Sequence, residues 1–95
     1  MVIVQWTDQS INDIQNIAEF ISKDSPKYAR LQVNAFFKRC EILERFPHAG
    51  RIVPEAGNEN IRELIVGAYR IIYHIKNEKS IDILSVHHSY KLLKL

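Results

Sequence analysis

The stretch IRELIVGAYRIIYHI, Ile61 to Ile75, decides the fold. Apolar residues recur at Ile61, Leu64, Ile65, Val66, Ile71, Ile72 and Ile75, and Gly67–Ala68 interrupts the run. This reads as two β-strands folded over a tight turn. Alternation along the second strand places Tyr69, Ile71, Tyr73 and Ile75 on one face and Arg70, Ile72, His74 and Lys76 on the other. The first set makes the better core face. Leu64 and Val66 belong to the core on the first strand, which puts Arg62 on the core side at its rim. A guanidinium there must be paired or solvated. Arg62 is therefore expected to be structural and paired with an acid, and Arg70 to point from the open face toward a partner.

Outward from this stretch, Ser80–Val86 (SIDILSV) reads as a third strand in the run, after a polar turn at Asn77–Lys79. Its alternation leaves open whether Ile81, Ile83, Ser85 and His87 or Asp82, Leu84, Val86 and His88 share the face of Arg70. Toward the N-terminus, the segment HAGRIVPEAGNEN (48–60) is a loop with a brief extended piece at Arg51–Val53. Before it, Ser25–Pro26 is a helix start signal. Ala29, Val33, Phe36, Cys40 and Leu43 follow at helical spacing, Phe37, Ile42 and Phe46 widen that stripe, and the helix should run on until Pro47. An earlier helix carries Ile11, Ile14, Ile17, Ala18 and Ile21 on one face, with Phe20 at its edge and a stop near Lys23; Thr7 and Asp8 are its N-cap candidates. Residues 2–6, VIVQW, form an opening strand.

The order is strand, helical hairpin, then a three-stranded antiparallel run: an α+β fold with the helices packed on one face of a mostly antiparallel sheet. At 95 residues the chain is expected to be a single domain, 1–95, with one core. No apolar run approaches the roughly 20 residues of a membrane span, and the first residues lack a basic start, so a cytoplasmic protein without a membrane partner is expected. Cys40, the lone cysteine, falls on the apolar stripe and reads as a buried, inert thiol. The formal net charge is +2, yet from Asn60 onward Arg62, Arg70, Lys76, Lys79, Lys91 and Lys94 outnumber Glu63, Glu78 and Asp82. That basic end suits an acidic partner or RNA, and equally a solvated face with no role.

His74, His87 and His88 lack the accompanying ligands of a zinc site, and Gly50 and Gly57 make no phosphate-binding loop; no metal and no cofactor are expected. Metal-free RNA cleavage needs a base, an acid and a cation for the phosphate. Arg70 could be the cation, and His87, His88 or Tyr90 the acid or base. Adjacent His87 and His88 face opposite ways on a strand, so they cannot both serve one site.

Taken together, Trp6-Thr7, DIQNIAEFI, SPKYA, FPHAGRIVPE, IREL, YRIIY and ILSVHHSYKLL resemble the RelE/ParE superfamily of toxins from type II toxin–antitoxin modules, over nearly the whole chain. The P-x-x-G-R loop, the R-E-L strand and the Y-R-I-x-Y strand resemble the ParE-like branch most closely. That resemblance implies a plasmid-stabilising toxin that inhibits DNA gyrase by binding, more a binding inhibitor than an enzyme, neutralised in a hetero-oligomer by a cognate antitoxin. The alternatives it implies are a RelE-like ribosome-dependent mRNA endoribonuclease and a non-toxic member that only binds antitoxin. In the nuclease reading Arg70, His88 and Tyr90 match the family's catalytic positions. In the binding reading Arg62, Arg70, His74, His88, Tyr90 and Lys91 contact target or antitoxin. One departure speaks against the nuclease: the loop VPEAGNEN has no lysine and carries Glu55 and Glu59.

Overall fold

The computed structural model of the chain describes residues 1–90. Strand β1 (Ile3–Trp6) leads into helices α1 (Asp8–Ser22) and α2 (Pro26–Cys40), and four strands follow: β2 (Arg51–Ile52), β3 (Ile61–Val66), β4 (Tyr69–Asn77) and β5 (Ser80–His88). They form one sheet in the order β1-β5-β4-β3-β2. Only the β1–β5 pair is parallel; β2–β3, β3–β4 and β4–β5 are antiparallel. The expected α+β architecture is therefore present, with the last strand two residues longer than SIDILSV and with the short extended piece after Gly50 forming the far edge.

Local chemistry starts each element. Thr7 caps α1, its hydroxyl accepting from the Ser10 N–H, and Ser25 caps α2 by accepting from the Tyr28 N–H ahead of Pro26 at the first helical position. At the β3–β4 turn Gly67 has φ +57° while Ala68 stays at negative φ, the pattern of a type II′ hairpin. One expectation is corrected: α2 does not continue as α-helix to Pro47. It ends at Cys40 and tightens into a 3-10 turn, Glu41–Glu44. The tightening keeps Leu43 in the core and brings the Glu44 carbonyl to accept from the Val2 N–H at the edge of β1. Phe37, Ile42 and Phe46, which would have widened the buried stripe, are exposed, as is Phe20 on α1.

The core lies between the helices and one face of the sheet. Ile14, Phe36, Cys40 and Leu43 meet Leu64, Ile71, Tyr73, Ile75, Ile81, Ile83 and Val86. On β4 the alternation holds, with Tyr69 packing edge-on against Phe36 at 5.4 Å between ring centroids. On β5 strict alternation fails. Ile72 pairs with Ser85 and Tyr73 with Ile83, so Leu84 is an extra residue in the ladder. This bulge switches the parity of the strand. Ile81, Ile83, Val86 and His88 share the helix side, while Asp82, Ser85 and His87 share the face of Arg70. Neither alternating set read from the sequence matches this division. Beyond the end of β1, α1 finishes the edge of β5: the Asp13 carboxylate accepts from the Val86 N–H at 2.9 Å, and the Thr7 hydroxyl donates to the Ile83 carbonyl at 2.7 Å.

Tyr73 places a hydroxyl inside this core. It donates to the Pro47 carbonyl at 2.7 Å and accepts from the Gly50 N–H at 2.9 Å, pinning the loop before β2 onto the sheet. The approach is so close that a Cβ on Gly50 would lie 2.4 Å from the Glu63 carbonyl oxygen and 2.7 Å from the Tyr73 ring. Burial, the largest effect, raises the Tyr73 pKa, while the Gly50 N–H works against it. The fold thus favours the neutral phenol.

Two predictions follow from this clamp. Gly50→Ala should lower the unfolding free energy by about 1–3 kcal/mol, since backbone and a buried ring must move to admit one methyl; chemical denaturation measures it. Tyr73→Phe should cost about 1–3 kcal/mol by leaving a buried donor and acceptor unpaired. The Tyr73 contribution is present below the unfolded tyrosine pKa of about 10 and is lost as pH rises toward the higher folded value. The stability of Tyr73→Phe should accordingly fall less steeply above that pH. Cys40 provides an independent reading of opening. Burial pushes its thiol up to about 12, so it should resist thiol reagents in the native state and react at the rate of unfolding.

Candidate functional site

Arg70 and Arg62, the two arginines of the central hairpin, prove to have different partners from those expected. Among the described residues Arg62 meets no acid. Its guanidinium donates to backbone carbonyls: Nε to Glu59 at 3.0 Å, and Nη1 to Gly50 at 3.0 Å and to His48 at 3.4 Å. In place of the expected ion pair it forms a clip that closes both ends of the loop around β2. The acids go to Arg70. Its Nε donates to Glu63 Oε1 at 2.7 Å, and Nη2 lies 2.6 Å from the same oxygen. Both Nη atoms also reach the Glu55 carboxylate at 3.1 Å in a bidentate pair.

The open face is therefore closed at this end of the sheet. Arg70 is only 6% exposed. Alternation puts Val53 on the same side, and Val53 and Ile72 are fully buried there. The segment after β2 folds across β4, with Glu55 as its tie. Glu63 lies between two cations, its other oxygen accepting from Arg51 Nε at 2.9 Å, and its side chain has no solvent exposure. The Glu55 hydrogen bond, with a further share from Glu63, raises the Arg70 pKa further still against the opposing effect of burial. Arg70 is thus a permanent cation, neutralised within the chain.

The remaining sequence candidates occupy other places. His88 pairs with Tyr69 on the helix side of the sheet, and their rings are 5.7 Å apart. Tyr90 continues the series, 5.1 Å from His88 and largely exposed. Phe36, Tyr69, His88 and Tyr90 thus form a ladder of aromatic rings from core to surface. His87 lies on the opposite face, across from Arg70, with Nε2 2.8 Å from the Ser85 hydroxyl. His74 pairs with Asp82 on that face, toward the other end of β4. Lys91 lies outside the described residues. Arg70 and the pair His88–Tyr90 are thus on opposite sides of the sheet. Among the described residues no three His, Cys, Asp or Glu side chains converge as a metal site requires.

Next to the aromatic ladder a groove of about 410 Å³ runs between α1 and the end of β5. Ile17, Phe20, Tyr69 and Val86 supply its apolar surface, and Gln9, Asp13, Asn16, His87 and His88 its polar groups. Sequence reasoning overlooked the α1 side of this groove. The signal was Phe20, a large apolar residue one position off the buried stripe of its helix.

One direct test of the arginine network is available. Arg70→Ala should destabilise the fold by about 3–5 kcal/mol, because the Glu63 carboxyl stays buried with one of its two partners gone. Glu55→Gln, at the better-solvated end, should cost about 1 kcal/mol. Thermal unfolding of both variants checks the order.

Comparison with known proteins places this arrangement. Residues 4–92 match the family model described as the ParE toxin of the type II toxin–antitoxin system parDE. No curated protein matches the sequence. Among solved structures, a chain of the chromosomal ParDE toxin–antitoxin system from P. aeruginosa superposes with a TM-score of 0.76 at 20% identity, covering 93% of this chain and 96% of that one. At that identity the likeness is one of fold.

Proposed function

Because the chain belongs to the ParE toxin family of type II toxin–antitoxin systems, we propose that it arrests growth by binding DNA gyrase in the cytoplasm and is held inactive by a cognate antitoxin. The observation that carries this reading, beyond the family itself, is the state of Arg70. A phosphate-binding cation of a nuclease must be free to meet its substrate. Arg70 instead has both carboxylates of its surroundings bound to it, and His88 and Tyr90 stand across the sheet from it. Such an arrangement favours inhibition by contact over RNA cleavage. The contact surface in this proposal is the exposed end of the aromatic ladder, His88 and Tyr90, with the neighbouring groove on α1. His74 and Lys91 are secondary candidates. Arg62 and Arg70 act by holding the loop and the sheet in shape.

The antitoxin in this proposal is a separate chain that covers the groove, and partner and target compete for the same aromatic end. The RelE-like reading, cleavage of ribosome-bound mRNA, has less support from the geometry. No helix among the described residues is long and apolar enough to cross a membrane.

Expression of the chain alone tests the mechanism. Growth arrest with relaxed or broken DNA is expected; codon-phased mRNA cuts with unaltered DNA topology would sink the gyrase reading in favour of the nuclease. Absence of arrest despite folded protein would leave only an antitoxin-binding role. His88→Ala together with Tyr90→Ala should reduce the arrest at least about tenfold in dose, the loss of one or two buried aromatic anchors, while leaving the thermal midpoint nearly unchanged.

A further inference from the structure

Helix α2 runs against its own local electrostatics. It carries Lys27, Arg30, Lys38 and Arg39 and no acidic residue. Lys38 and Arg39 lie in its last turn, where cations complement the negative end of the helix dipole. Lys27 does the opposite. It follows Pro26 in the first turn, where the dipole presents its positive end and a cation is disfavoured. Arg30, three residues on, adds a like charge on the next turn. No acid stands three or four residues further along the helix to offset either charge. Among the described residues none of these cations forms an ion pair.

Lys27, Arg30, Asn34 and Lys38 follow one another at spacings of three, four and four, so they share one face of the helix. All four are exposed. The buried residues Ala29, Phe36 and Cys40 occupy the other side. The stripe spans about 16 Å along the axis, at the helical rise of about 1.5 Å per residue. Asp24 before the helix and Glu41 after it bound the stripe, so its positive charge rests on Lys27, Arg30 and Lys38. Helix α1, alongside, has Asp8, Asp13 and Glu19 and no basic residue. The hairpin therefore draws an anion to the outer face of α2 and turns it away from α1.

We infer that this face of α2 lies along the phosphodiester backbone of a nucleic-acid duplex, Lys27, Arg30 and Lys38 each meeting a phosphate and the Asn34 amide donating to one between them. Three features select this occupant. Cations repeated along one straight line suit a stiff polymer that carries charge continuously, one per about 1.7 Å of duplex axis. The stripe itself holds no aromatic ring on which an unpaired base could stack, and Phe37, outside it, packs against Trp6 at 4.6 Å; a duplex therefore fits better than a single strand. An anionic lipid surface asks for one apolar band to insert, but by the helical period the exposed Tyr28, Leu31 and Phe37 are spread around α2. Phosphate contacts carry no sequence information, so base sequence is not read. The inference does not depend on the gyrase reading, and the surface is separate from the aromatic ladder and the groove on α1.

The test is titration of the full chain into fluorescently labelled duplexes of mixed sequence, DNA and RNA in separate arms, read by anisotropy. No gyrase is present, so failure here leaves the gyrase reading standing. With three phosphates neutralised, the logarithm of the affinity should fall against that of salt with a slope of about −2.7, or about fortyfold between about 50 and 200 mM. Binding in either arm supports the proposal, and the tighter arm identifies the source of the backbone. Lys27→Gln, Arg30→Gln and Lys38→Gln should each reduce the slope by about 1, and the triple variant should weaken binding at least about tenfold. Glutamine is as good a helix former as lysine or arginine, so the thermal midpoint of the triple variant should hold or rise. Lys79→Gln, exposed at the β4–β5 turn, should leave the slope unchanged. Absence of binding to both duplexes, an unaltered slope in the triple variant, or an equal loss in Lys79→Gln would overturn the proposal. So would a lowered thermal midpoint in the triple variant, or tighter binding of phosphatidylglycerol vesicles or of a polyglutamate peptide.

Discussion

Glu63 is the constraint around which the second half of the chain is arranged. A carboxylate without solvent exposure, in the middle of a sheet, is tolerated only if its charge and its lone pairs are met. Arg51 meets one oxygen from β2, and Arg70 meets the other from β4. Three neighbouring strands are thereby tied through one side chain. Glu55 engages the outer side of the Arg70 fork, which fixes the segment after β2 over the sheet and closes a face that would otherwise be open. Removal of Arg70 leaves Glu63 buried with Arg51 as its remaining partner.

The opposite side of the same strands is held by hydrogen bonds to backbone groups. Tyr73 fills the core with its ring and receives the loop at Pro47 and Gly50 with its hydroxyl, and Arg62 clips that loop from outside through carbonyls. Gly50 is required there for its lack of a side chain, its φ being ordinary. The P-x-x-G-R and Y-R-I-x-Y motifs are thus two halves of one joint, with the Glu63 network on one face and the Tyr73 clamp on the other. The residues that look most chemical in the sequence build the scaffold. The aromatic end of β5 beside α1 stays exposed, clear of this joint.

The charge distribution of the hairpin supports that division. Helix α1 carries Asp8, Asp13 and Glu19 without a basic residue, while α2 has only basic ones. Among the described residues no ion pair joins the two helices. The two sides of the hairpin therefore present opposite fields to solvent.

The sequence by itself determined the elements and their order. The apolar periods of three and four, Ser25–Pro26, Thr7 and Gly67 are local signals, and local backbone physics answers to them within a few residues. It also determined the core face of β4, because Tyr69, Ile71, Tyr73 and Ile75 alternate without interruption. Only the tertiary structure decided the rest. The bulge at Leu84 depends on how β5 meets β4, and it reassigns every side chain beyond it, so the faces of His87 and His88 could not be read from alternation. Whether Arg70 faced water or an acid depended on Glu55, fifteen residues earlier in a loop without periodicity. An arginine in a β-strand has the same local sequence in either case. Its role was set by which carboxylates the folded chain brought within reach.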